Sequence, residues 1–215
     1  DPAEQNRYLT AQLRDYHAQG YAYEQMAILF RTNLGIRFVM DALMKGGIPF
    51  HMKDAIPNLF AHWISLDIIA YLRLVSGTGN TRANWLRIMN RPNRYIKREA
   101  LAPFTSEISV AQLKAYYQDK DWMLERLDRL EYDLTIMKRM SPYAAIHYLS
   151  NAMKYQDYLK DYAKEHHINE QELLDVLNAV HESSQSCRTF AEWFTYIDTY
   201  TEELQKQAKS PASKD

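Results

Sequence analysis

The chain has 215 residues, 47% apolar and 25% charged, with 26 Lys and Arg against 27 Asp and Glu for a formal net charge of −1. That length holds either one domain burying roughly 70% of its unfolded surface or two small ones, and the charge balance excludes a uniformly basic nucleic-acid binder while leaving local patches open. No apolar run reaches the roughly 18 residues of a membrane span, and a single cysteine, Cys187, excludes an internal disulfide and a cysteine-cluster metal site. Cys187 reads as an inert thiol in a reducing compartment, so a cytoplasmic protein with no membrane partner is expected. The opening "DPAEQNRYL" carries no signal-peptide or lipidation pattern and suggests a piece of a longer protein.

In chain order, "DPAEQNRYLTAQLRDYHAQG" predicts a helix with Pro2 in its first turn, Leu9, Leu13 and Tyr16 on one face and Gly20 at its end. "MAILF" is a short apolar run of the kind found in covered strands, ending on the polar Arg31, Thr32 and Asn33. "GIRFVMDALMKGG" predicts a helix striped by Ile36, Val39, Met40 and Leu43 and stopped by Gly46 and Gly47, and "IPFHM" a second strand. This βαβ order predicts the edge of a parallel sheet, two short strands with flanking helices. Beyond Pro57 the pattern is helical. "LFAHWISLDIIAYLRLVSG" and "NTRANWLRIMN" come first, the second halted by Pro92, and an all-helical stretch runs from Ser109. Ser141 before Pro142 caps one helix, and Asn169 with Glu172 and Thr189 with Glu192 are capping-box signatures for two more. The tail "QKQAKSPASKD" loses periodicity and is expected to be flexible. The fold class is therefore mostly α, a truncated α/β edge followed by an all-helical subdomain.

No phosphate loop, dinucleotide fingerprint, paired-histidine zinc motif or nucleophile elbow is present, so no catalytic or metal-binding residue is assigned. The adjacent His166 and His167 point in different directions on a helix, and Asp128 with Glu131 is an ordinary helix-surface spacing. The one charge anomaly is "TRANWLRIMNRPNRYIKREA", where Arg82, Arg87, Arg91, Arg94, Lys97 and Arg98 precede the first acid, Glu99. Two readings stay open: a solvated face paired elsewhere in the fold, or a patch gripping nucleic-acid phosphates. Trp85 and Tyr95 interleave with these cations and suit base stacking, although Trp85 fits a core better. Tyr116, Tyr117, Tyr155, Tyr158 and Tyr162 fall at helical spacings that pack helices together.

"YEQMAILFRTNLGIRFVMDALMKGGIPF" resembles part of the second motor domain of UvrD-like, Rep-like and PcrA-like superfamily 1 DNA helicases, whose pattern reads "AILYRTNAQSR…LEEALLRAGIPY". "DIIAYLRLV" is similar to the family's "DALAYLRLI", and "WLRIMNRPNRYIKREAL" to "LLRIINVPKRGIGKATL". The resemblance covers the first hundred residues; the helical remainder resembles the family's inserted 2B subdomain in length and character alone. It divides the chain into a partial motor-domain segment at 1–100, a 2B-like helical subdomain at 101–208 and a tail at 209–215.

The resemblance implies a parent enzyme that hydrolyses ATP with magnesium and translocates 3′ to 5′ along single-stranded DNA, and a fragment that lacks the family's phosphate loop, Asp-Glu box, arginine-finger motifs and "HxAKG" stretch. The fragment itself would hold no cofactor and no ATPase activity. Its partners would be single-stranded DNA, a duplex junction and the remaining motor domains. Family contacts to the single strand transfer to Arg31, Thr32, Asn33 and Arg37, and the cation cluster Arg87, Arg91, Arg94, Lys97 and Arg98 is expected to form a duplex-backbone patch. The family's "RGIG" turn is "RYIK" here, with Tyr95 and Lys97 in place of its two glycines, and its "GG" and "FFER" signatures are replaced by "MKDAIPNLFAHW". Two alternatives remain: a helical protein-interaction module that does not touch DNA, and a parent of the helicase-nuclease type.

Overall fold

The computed structural model describes residues 2–29, 39–40, 42–51, 58–104 and 107–209. The chain is mostly α. It forms two compact units, Asp1–Pro57 with Asp198–Asp215, and Asn58–Ile197.

In the first unit, helix α1 (Pro2–Ala18) is followed by a single 3₁₀ turn at Tyr23–Gln25. Residues 39–40 and 42–45 are helical, and the chain leaves that helix through Gly47 at φ +63°. The amide of Ile48 donates to the carbonyl of Leu43 and that of Gly47 to Met44, a pairing that requires the left-handed residue glycine supplies. Leu13, Val39, Leu43 and Ile48 form a small core, against which Leu9, Tyr23, Met26, Ile28 and Phe50 are partly buried. The anticipated stripe is thus present at Leu9 and Leu13, whereas Tyr16 stays 47% exposed and meets Tyr21 edge-on.

The two expected strands are not found among the described residues. Residues 26–29 and 48–51 carry no strand, and no ladder bond joins them. A run of apolar residues supplies the faces of a strand, but strand identity lies in hydrogen bonds to a neighbour; here Met26, Ile28 and Phe50 pack against the core of Leu13, Val39, Leu43 and Ile48, while Leu29 is 94% exposed. Phe30, Met52 and the polar ending Arg31, Thr32 and Asn33 lie outside the described residues, as does Arg37.

The second unit is built around helix α2 (Trp63–Ser76), so apolar that Ile64, Ile68, Tyr71 and Leu72 are all completely buried. His62 caps its start by accepting from the amide of Ile64, and Gly77, at φ +76°, ends it. Helix α3 (Arg82–Ile88) packs beside α2, with Thr81 capping the amide of Asn84. Then follow α4 (Val110–Tyr116), α5 (Asp121–Met137), α6 (Pro142–Asn151), α7 (Tyr155–His166), α8 (Glu170–Ser183) and α9 (Phe190–Lys209), whose residues from Asp198 onward belong to the first unit. Helices α5, α6 and α8 all pack on α2, which explains why α2 has no polar face to spare.

Local capping signals are realised. Ser141 accepts from Ala144 at the start of α6. Thr189 and Glu192 exchange a reciprocal pair of bonds before α9, a true capping box. Asn169 caps α8 by accepting from Gln171, with no reciprocal bond from Glu172. Helix α9 runs on through Lys209, so "QKQAK" of the expected tail is helical, and residues 210–215 lie outside the described residues.

Candidate nucleic-acid interface

The segment between α3 and the 3₁₀ turn at Arg98–Leu101 is shaped by two asparagines. Asn90 Oδ1 accepts from the amides of Arg94 and Ile96, and its Nδ2 donates to the Ile96 carbonyl. Asn93 Oδ1 accepts from the amide of Tyr95 two positions on, an Asx turn that delivers Tyr95 into the left-handed region at φ +60°. Ile96 is buried and anchors the turn, while the amide of Lys97 donates to the Tyr117 hydroxyl at 2.7 Å. The sequence "NRPNRYIK" therefore folds as a rigid loop that pushes Tyr95, Lys97 and Arg98 outward.

The six cations divide into two groups. Arg87 and Arg91 both reach Asp67 of α2, whose side chain is fully buried: Arg87 Nη1 lies 3.3 Å from Oδ1, and Arg91 Nη1 lies 2.9 Å from Oδ1 and 3.1 Å from Oδ2. Tyr155 of α7 donates its hydroxyl to Asp67 Oδ2 at 2.9 Å. Burial pushes the Asp67 carboxyl upward from its usual range, opposed by Arg91, Tyr155 and Arg87. Burial and the neighbouring carboxylate also push the Tyr155 hydroxyl well up, so it remains a donor at any ordinary pH. Such a network ties α2, α3 and α7 together, because an ionised Asp67 is tolerable in the interior only while its partners are in place.

Arg94 is engaged differently. Its Nη1 donates to the carbonyls of Ile88 and Pro92, and its guanidinium sits 5.7 Å above the Tyr71 ring. Arg91 likewise lies over Trp63 at 5.6 Å. By contrast, Lys97 and Arg98 are exposed and their side chains make no ion pair or hydrogen bond among the described residues, and Arg82 is exposed in the first turn of α3. Trp85 is buried, its indole donating to the Ile108 carbonyl, so it takes the core role rather than the stacking one.

Two residues that sequence reasoning passed over meet this surface. Arg126 of α5 places its guanidinium 4.9 Å from the Tyr95 ring and 5.3 Å from that of Trp122. Tyr95 is 58% and Trp122 51% exposed. The available signal was the spacing of four between Trp122 and Arg126, which sets them on one helix face. Lys120, 5.9 Å from the Tyr117 ring, stands beside them.

The remaining candidates are structural. Asp128 and Glu131 share Lys114 across the α4 and α5 contact. His166 stacks on Tyr162 and pairs with its carbonyl, and no cluster of metal-ligating side chains occurs among the described residues. Of the tyrosines expected to pack helices, Tyr117 and Tyr155 are buried, Tyr158 and Tyr162 partly so, and Tyr116 is exposed. No helix among the described residues is long and apolar enough to cross a membrane.

Comparison with known proteins gives a consistent answer. The family model of the UvrD-like helicase C-terminal domain matches residues 2–213. YjcD of Bacillus subtilis is 23% identical over 166 residues, 74% of this chain and 22% of that protein. The ATP-dependent DNA helicase PcrA of Staphylococcus epidermidis is 25% identical over 156 residues, 71% of this chain and 20% of that protein. The ATP-dependent DNA helicase Rep of Buchnera aphidicola is 37% identical over 82 residues, 38% of this chain and 12% of that protein. The match thus spans about a fifth of the length of the first two relatives. With this family model matched across nearly its whole length, the chain belongs to the UvrD-like helicase C-terminal domain family.

Proposed function

We propose that this chain is a DNA-facing accessory and regulatory segment of an ATP-dependent, 3′ to 5′ DNA helicase. On this reading residues 1–100 correspond to the second motor domain and 101–208 to the inserted helical subdomain, with 209–215 as a tail; this division follows the family resemblance, while compactness groups Asp1–Pro57 with Asp198–Asp215 and sets Asn58–Ile197 apart. On this reading ATP and magnesium serve the parent enzyme, which acts in the cytoplasm, and the segment positions single-stranded or junction DNA without hydrolysing ATP itself. Arg31, Thr32, Asn33 and Arg37 take their single-strand role from the family resemblance.

The observation that carries the DNA-facing part is the pair of exposed cations Lys97 and Arg98, whose side chains have no ion-pair or hydrogen-bond partner among the described residues, on a loop braced by Asn90 and Asn93. Titrating the chain with a hairpin bearing a single-stranded tail at low salt tests it. The Lys97→Glu, Arg98→Glu double variant is expected to bind about 10-fold more weakly and to flatten the plot of log affinity against log salt by about 2 units. Unchanged affinity and slope would remove the loop from the interface.

A second reading has its own support. Arg87 and Arg91 are held by Asp67 inside the fold, which favours a helical protein-interaction module that makes no DNA contact.

A further inference from the structure

We propose that Tyr95, Arg126 and Trp122 form a stacking site for an unpaired base of single-stranded DNA, with Lys97, Arg98 and Lys120 beside it for the flanking phosphates; this rests on the DNA-facing reading above. Three observations converge on it. Tyr95 occupies left-handed backbone, where a glycine would sit without strain, and yet its ring is 58% exposed rather than packed. Trp122 projects its indole from α5 with half its surface in solvent. Arg126 lies within cation–π distance of both rings, at 4.9 and 5.3 Å, so the two aromatics and the planar guanidinium belong to one surface.

The chemistry of the surface selects the partner. Exposed aromatic faces and a guanidinium plane accept another planar ring, and a base presents its face only when it is unpaired and unstacked. A duplex offers backbone instead. The local charge is nearly balanced, with exposed Lys97, Arg98, Lys120 and Arg126 accompanied by exposed Glu99, Asp121 and Glu125. Stacking should therefore add affinity beyond what Lys97 and Arg98 contribute, and the component that depends on Trp122 should change little with salt.

The test measures fluorescence anisotropy of labelled oligo-dT, of the same strand made abasic, and of a blunt duplex, each titrated with the whole chain. Trp122→Ala and Tyr95→Gly are each expected to weaken oligo-dT binding about 5-fold or more, to leave the abasic strand and the duplex within about twofold, and Trp122→Phe to restore most of the loss. Both positions are exposed, and thermal melting of the variants verifies that the fold is retained. Oligo-dT binding by the wild type that neither variant alters overturns the stacking site and leaves the DNA-facing reading intact. Equal losses on base-containing and abasic strands reassign the cluster to phosphate contact and also overturn it. A wild-type chain that binds none of the probes at low salt overturns both readings. Self-association abolished by Trp122→Ala, without oligo-dT binding, gives the surface to a protein contact.

Discussion

Arg87, Arg91 and Arg94 and the cations that follow them, Lys97 and Arg98, look alike in the sequence and behave oppositely in the fold. Arg87 and Arg91 converge on one buried carboxylate, and Arg94 on two carbonyls and a tyrosine ring. Lys97 and Arg98 face solvent, and across the same surface Arg126 rests on two exposed rings. A run of like charge is thus two populations, one tied into the fold and the other exposed to solvent. The difference lies in the partner each meets in space: Asp67 holds Arg87 and Arg91, two carbonyls hold Arg94, and the side chains of Lys97 and Arg98 meet no ion-pair or hydrogen-bond partner among the described residues.

The largest effect expected from this contrast is on stability. Asp67→Ala leaves Tyr155 with a buried, unanswered hydroxyl and returns Arg87 and Arg91 to partial hydration, since their side chains are 35% and 38% exposed. A loss of about 2–4 kcal/mol is expected, below the usual cost of breaking a fully buried pair because the arginines can reach water. Urea unfolding followed by circular dichroism measures it, and a loss no greater than that of a surface substitution would dissolve the distinction between the two groups. A smaller change of opposite sign is expected from Tyr95→Gly, a gain below about 1 kcal/mol as the left-handed position is relieved and the contact with Arg126 is lost. A clear loss in the melting temperature would instead make Tyr95 a member of the scaffold.

The smallest effect lies in pH and concerns neither group. His181 stacks on Tyr143, its Nε2 within 3.1 Å of the Tyr143 carbonyl, and burial lowers its pKa below the ordinary 6.5. The unfolded chain therefore binds the proton more readily, so stability present above pH 6.5 falls away as the pH drops through the lowered value. His181→Gln should flatten the melting temperature across this range, whereas a slope that persists in the variant would point to a different titrating group.

What the sequence disclosed follows from the range of each interaction. Caps at Ser141, Asn169 and Thr189, and the glycine exits at Gly47 and Gly77, are settled within a few residues and were legible. The two expected strands do not form among the described residues, because a strand is defined by a partner that an apolar run cannot name. The segregation of cations was legible, but its division was not: Asp67 stands 20 positions from Arg87, 24 from Arg91 and 88 from Tyr155. The meeting of Tyr95 with Arg126 likewise depends on α5 packing back beside the loop, a tertiary fact.

Arg126 has one more consequence. A free arginine side chain carries about 2 kcal/mol of rotamer entropy, most of which a ligand must freeze when it binds a mobile guanidinium. Here Tyr95 and Trp122 restrict the guanidinium before any ligand arrives. On the stacking proposal, association at this surface starts from an ordered receptor, and its rate should approach that of a preformed site rather than one assembled after contact.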